Sequence, residues 1–181
     1  MNIEIISGSP RSQSITHRVA VFLQQELSKK TSHHIGLIDV REWKLPLLEN
    51  VIGAPDQAPD HLKPLANRIF AANAFILVTP EYNGSYSAAL QNLLDHFPKQ
   101  SRKAFGLVTG SPGGLAGARA SQQLLLLVPA LFGIAAPNML LIPFLDKKFS
   151  PEGELIDPDF QKSVDTFTNE FIWLAEALQS K

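Results

Sequence analysis

The sequence contains no cysteine. That absence excludes disulfides, thiolate nucleophiles and cysteine-ligated metals together, and it fits a protein of the reducing cytoplasm. An excess of charge is missing too. Sixteen basic residues stand against 17 acidic ones, giving a net charge of −1, and they are mixed along the chain. No basic block or stripe points to nucleic acid or to an anionic membrane. Long hydrophobic runs are also lacking. The longest, "LLLLVPALFGIAAP" from Leu124 to Pro137, is interrupted by proline and glycine and falls short of the roughly 20 residues that span a bilayer. The opening "MNIEIISGSP" has too few apolar residues and no basic flank for a signal peptide. Several catalytic signatures are absent as well. "GSPRSQSI" is neither GxGxxG nor GxxxxGK[ST], which argues against a Rossmann dinucleotide grip and a P-loop. No serine occupies a GxSxG elbow, so an α/β-hydrolase lacks its nucleophile. Among His17, His33, His34, His61 and His96, no two stand at metal-ligand spacing on a helix.

What is present is an alternation of two periodicities. Apolar runs at "IEIIS", "IGLIDV" from Ile35, "AFILVT" from Ala74, "AFGLVT" from Ala104 and "MLLIP" from Met139 are nearly continuous, as strands covered on both faces require. Helical patterns separate them. The first carries Ile15, Val19, Phe22, Leu23 and Leu27, with Ser12 or Ser14 as its cap; the second carries Leu62, Leu65, Ile69 and Phe70. A third follows Asn83-Gly84, a fourth starts near Leu115, and the last carries Val164, Phe167, Phe171, Leu174 and Leu178. Alternating strands and helices predict an α/β fold in a single domain over residues 1–181. Five strands suit a flavodoxin-like, doubly wound parallel sheet of order 2-1-3-4-5 with helices on both faces. The longest irregular stretch, Arg41 to Asp60, is of a length usually functional or interfacial.

Three loops then command interest. "TPEYNGSYSAALQNLLDH" places Asn-Gly after an apolar run, a strong hairpin signal. Yet Leu90, Leu93, Leu94 and Phe97 follow at helical steps, so the segment reads strand, exposed turn, helix. The loops after strands one, three and four, "SGSPRSQSIT", "TPEYNGSY" and "TGSPGGLAG", are all rich in small and polar residues. A parallel sheet brings them to one edge, where ligands bind. The first offers the hydroxyls of Ser9, Ser12, Ser14 and Thr16, the fork of Arg11 and a helix N-terminus, a set built for phosphate. Asp39, at the end of strand two, reads as a loop cap because no glycine fingerprint accompanies it.

Together "GSPRSQSIT", "PEYNGS", "GSPGGLAGARA", "LPLLE" and "FSPEGELIDPDF" resemble the NADPH-dependent FMN reductase family of flavodoxin-like proteins. The resemblance implies that Ser9, Arg11, Ser14, Ile15 and Thr16 surround an FMN phosphate. It implies that Pro80, Glu81, Tyr82, Asn83, Gly84 and Ser85 line the ring and ribityl chain, and that Thr109, Gly110, Ser111 and Gly113 approach the other part of the ring. Two positions depart from the family: Thr16 stands where Asn is common, and Gln91 stands at a lysine-like place. FMN and not FAD is expected, since nothing beyond the phosphate loop suggests an adenosine grip.

The expected activity is reduction of FMN by NADPH or NADH and two-electron, ping-pong reduction of a quinone, azo, chromate-like or flavin acceptor. The cofactor carries that chemistry, so no acid or base residue is nominated. The alternatives are a one-electron carrier of flavodoxin type or a non-catalytic FMN-binding protein. Near-neutral charge weakens the carrier reading, because such carriers use acidity to dock. The apolar circumference of "LLLLVPALFG" predicts a homodimer or dimer of dimers. The resemblance places its contact on the helices bearing Leu90, Leu94, Leu125 and Leu127.

Overall fold

A computed structural model describes residues 1–179. Its elements run β1 (Asn2–Ser7), α1 (Ile15–Lys30), β2 (His34–Asp39), α2 (Lys63–Ala71), β3 (Ala74–Pro80), α3 (Ala88–Asp95) and β4 (Ala104–Gly110). They continue with α4 (Ala118–Ala130), β5 (Ile134–Ala135), β6 (Leu140–Ile142) and α5 (Gln161–Gln179). The sheet order is β2-β1-β3-β4-β5, with β6 also paired to β4, and every ladder is parallel. This is the flavodoxin-like order that the strand count predicts.

Strands β1, β3 and β4 bury both faces because their side chains alternate between two cores. Ile3, Ile5, Ile76, Val78 and Val108 face α1 and α5, where Val19, Leu23, Phe167 and Phe171 meet them. Ile6, Phe75, Leu77, Phe105 and Leu107 face α2, α3 and α4, where Leu65, Leu90, Leu93 and Leu124 meet them. Phe75 and Phe105 stack with ring centroids 5.4 Å apart on that second side. The one acid inside β1, Glu4, is buried and held by Arg68 of α2, with Nε–Oε1 at 3.0 Å and Nη2–Oε2 at 2.6 Å. A bidentate partner makes such burial tolerable.

The fifth strand, predicted as a run from Met139, is β6, which pairs with Val108 to Gly110; a two-residue strand ahead of it, β5, pairs with Ala104 and Phe105 and is not among the predicted runs. Pro137 lies between them and has no N–H to offer the ladder. On the helices expected to carry a subunit contact, Leu90, Leu94 and Leu127 are buried in the subunit's own core, and Leu125 is half-buried. Leu126 is 69% exposed and Phe132, just past α4, 61%. The apolar segment thus leaves surface that its own core does not cover. No helix of the described residues is long and apolar enough to cross a membrane.

At the edge where β4 begins, Lys103 is half-buried. Its ammonium donates to Gln100 Oε1 at 2.8 Å and Ile69 O at 3.4 Å, and lies 5.3 Å from the centroid of the Phe75 ring. Loss of water lowers its pKa from 10.5 to about 8. Between those values the unfolded chain binds more protons at this site than the folded one, so stability should rise with pH there. Below about pH 8 the ammonium is charged in both states and the full burial cost remains. The unfolding free energy of the protein minus that of Lys103→Met should therefore increase from pH 8 to 10.5. Urea unfolding across that range measures it, and a flat or falling difference contradicts the assignment.

Candidate active site

Strands of a parallel sheet all end on one edge, so register decides which loops meet. Ser7 pairs with Val78, and Pro80 pairs with Gly110, so the loops after β1, β3 and β4 emerge side by side. They enclose a cleft of about 330 Å³, a size suited to a small ligand.

The first loop supplies hydroxyls. Gly8 leaves the strand with its N–H on Val78 O at 2.8 Å, and a Cβ there would lie 3.0 Å from Leu90 Cβ. Glycine thus lets α3 close on the strand end. Of the two candidate caps for α1, Ser14 is the one used: its Oγ accepts from His17 N at 3.2 Å and lies 3.0 Å from Thr16 Oγ1. Ser9, Ser14 and Thr16 are buried, and they line the cleft with Arg11, Ile15 and Gln13. The Arg11 guanidinium sits 4.9 Å from the Tyr82 ring centroid, joining the first loop to the second. It has no carboxylate partner among the described residues.

The second loop contributes Pro80, Glu81 and Tyr82 to the wall. Asn83 and Gly84 have φ of 51° and 80°, and Tyr82 and Ser85 exchange backbone hydrogen bonds of 2.8 and 3.1 Å. The turn is therefore a closed two-residue turn of the kind Asn-Gly favours, set between strand and helix as the helical spacing predicts. Hairpin chemistry and helical periodicity act in succession, because α3 starts immediately afterwards at Ala88. The Tyr82 hydroxyl is buried and has no hydrogen-bond partner among the described residues.

The third loop contributes Gly110, Ser111 and Pro112. Asn83, Gly84, Ser85, Thr109 and Gly113 do not stand on the cleft wall. Thr109 is buried and donates to Ala116 O at 2.8 Å, and Gly113 O accepts from Ser111 Oγ at 3.1 Å. These residues shape the loops that carry the wall.

Three further residues lock the loops together. Glu81 Oε2 accepts from the N–H groups of Arg119 at 3.0 Å and Ala120 at 3.3 Å. Helix α4 starts at Gly117, which has no side chain to cap it, so a glutamate from another loop takes the cap's place. Ser87 caps α3, accepting from Leu90 N at 3.1 Å while its own hydroxyl donates to Gly8 O. The cap is visible in the sequence as a serine before the apolar period; the reach to Gly8 is not. Arg41 pairs with Asp39 and donates to Arg11 O at 3.3 Å and Ser12 O at 2.9 Å, fixing the back of the first loop. Asp39 also accepts from Arg41 N at 3.0 Å, the loop-capping role its position suggests. Burial alone would raise the Asp39 pKa, but the hydrogen bonds and charge of Arg41 prevail and lower it. Burial holds the neighbouring His17 imidazole below its ordinary value, against the pull of Asp39.

The sheet order, the cleft at the strand ends and the hydroxyl-rich first loop define a flavodoxin-like flavoprotein. A profile of the NADPH-dependent FMN reductase family matches residues 1–145. The chain belongs to that family, and it is an NAD(P)H-dependent oxidoreductase that uses FMN. It is 30% identical over 174 residues to the FMN-dependent NADPH-azoreductase of Staphylococcus aureus, covering 93% of this chain and 92% of that protein. Its fold is similar to that of the flavoenzyme NAD(P)H:(acceptor) oxidoreductase FerB from Paracoccus denitrificans, with a TM-score of 0.77, 20% identity and 97% coverage of both chains. A variant of the flavodoxin from Pseudomonas aeruginosa aligns with a TM-score of 0.58 and 21% identity, over 94% of this chain and 99% of that one.

The borrowed cap has a measurable consequence. Glu81→Ala should lower the unfolding free energy by about 1 kcal/mol, the usual worth of a helix cap, and Glu81→Gln should recover part of it. Urea unfolding of the two variants checks this. Equal stability of Glu81→Ala and the parent chain would show that the α4 terminus is satisfied by water alone.

Proposed function

We propose that this cleft is where the chain holds FMN and where NADPH and a small electron acceptor react in turn. The observation that carries the reading is the meeting of three complementary walls at one sheet edge. Ser9, Ser14 and Thr16 present buried hydroxyls beside Arg11 and the α1 N-terminus, a donor set that suits a phosphate dianion. The unpartnered Tyr82 hydroxyl is a buried polar group awaiting a hydrogen bond, and its ring offers an apolar wall. Gly110, Ser111 and Pro112 would border the ring as the third wall. The residues present therefore fit FMN, and no lining residue suggests a grip for a second nucleotide, which favours FMN over FAD.

FMN, when bound, takes an electron pair from NADPH and passes it to the acceptor. The chain's part is to orient, exclude water and leave one face open. The acceptor class we favour is a quinone, azo compound, chromate-like oxidant or free flavin. Both departures from the family are accounted for locally. Thr16 Oγ1 engages Ser14, and Gln91 is held between the Tyr86 hydroxyl and Asp95, turned to its own helix. Assembly as a homodimer or dimer of dimers remains part of the proposal, with the contact on the outer side of α4 at Leu126.

One open face implies alternate occupancy. With donor seated, the acceptor is excluded, so oxidised donor must leave before the second half-reaction. Initial rates varying both substrates should give parallel double-reciprocal lines, with acceptor competitive against NADPH at high concentration. Intersecting lines and a trapped ternary complex would establish two simultaneous sites and overturn the proposal.

A further inference from the structure

Phe144 follows β6 and stands in the left-handed region at φ 49°, where a bulky aromatic is a rare outlier. Strain of this sort persists when surrounding contacts overdetermine it, and it gathers at functional sites. Here the surroundings are explicit. Ser111 N donates to Ile142 O at 3.2 Å, Leu145 N to Ser111 O at 3.1 Å, and Phe144 N to Gly113 O at 3.4 Å. Leu145 is fully buried, and its Cδ1 fills the space a Cβ on Gly110 would need, 2.2 Å away. The backbone of residues 142–145 is thus clamped to the third loop, two of whose residues, Ser111 and Pro112, line the cleft.

The clamp leaves the ring outside the core. Phe144 is 48% exposed, and its Cζ is 3.5 Å from the site of a Cβ on Gly114, so the ring's tip rests beside a glycine with no side chain to cover it. Leu115, beside it, is 67% exposed. The ring's cationic neighbour, Lys147, has its Nζ 5.7 Å from the centroid and is itself exposed. A buried core has no use for a side chain held this way. A planar ligand entering over the third loop would find an aromatic face with one cation at its margin.

We propose that Phe144 is a specificity-determining platform beside the third loop, one that stacks planar aromatic acceptors and leaves small inorganic ones unaffected. The inference rests on the oxidoreductase reading above and names which acceptors that site prefers. The FMN-loaded enzyme tests it through Phe144→Leu, Phe144→Ala and Phe144→Gly, assayed with 1,4-naphthoquinone and with ferricyanide. All three should raise KM for the quinone by about three- to ten-fold, the worth of one aromatic contact, with KM for ferricyanide and for NADPH unchanged. Binding of 1-naphthol, a non-reducible aromatic, followed by perturbation of the flavin absorbance, should weaken by the same factor. Phe144→Gly should also melt above Phe144→Ala, because glycine alone accepts the left-handed backbone without strain. An unchanged quinone KM and naphthol affinity in every variant would overturn the proposal. So would an equal loss with ferricyanide, or a change of assembly on sedimentation without a change in quinone KM. Absence of NADPH oxidation with every acceptor in the parent enzyme would instead strike the functional reading beneath it.

Discussion

The parallel register between β1, β3 and β4 is the constraint on which everything else depends. Side chains alternate along a strand, so a slip by one residue would exchange the two cores. Ile5 and Ile76 would then face α3, and Phe75 would face α5. The same register aligns Ser7, Val78 and Val108, and so fixes where each strand stops. The cleft follows from the cores: burial sets the register, and register sets which loops meet.

Rigidity of the loops comes from polar groups that cross between them. Glu81 caps a helix that its own loop does not contain, Ser87 reaches back to the Gly8 carbonyl, and Arg41 holds the backbone of Arg11 and Ser12. Each link satisfies a donor or acceptor that a buried loop would otherwise leave unmet. Fixed walls matter because a flavin site contributes mainly orientation and electrostatics. A wall that had to reorganise on binding would give up much of both. The Arg11 guanidinium is the exception: it rests on an aromatic face and has no carboxylate to hold it among the described residues.

Much of this was legible in the sequence, for identifiable reasons. Strands buried on two faces show as unbroken apolar runs, and each of the five predicted runs holds one strand of the structure. The additional β5 escapes notice because two residues carry no readable period. Helix α4 begins at Ala118, three residues beyond the Leu115 suggested by apolar content, because Ala116 and Gly117 turn left-handed at φ 56° and 77° first. Ser14 was readable as a cap from its place before an apolar period. The role of Glu81 was not, since its partners lie 38 and 39 residues away and no local pattern encodes so distant a contact. Apolarity around "LLLLVPALFG" reads as excess surface, and the structure divides it: Leu124, Leu127 and Val128 enter the subunit core, while Leu126 and Phe132 stay exposed. Periodicity finds faces; it does not say how wide a face the neighbouring sheet will cover.

The central claim is that the three-loop cleft binds FMN through its phosphate end. Titration of apoprotein with FMN, followed by quenching of flavin fluorescence, addresses it directly when carried out beside the same titration of Arg11→Ala and a titration with FAD. The account predicts saturable, stoichiometric FMN binding, weaker binding of FAD, and a loss in Arg11→Ala of about 1.5 to 3 kcal/mol, the worth of a charged hydrogen bond. An FMN dissociation constant unchanged by Arg11→Ala, or FAD bound as tightly as FMN, would contradict it.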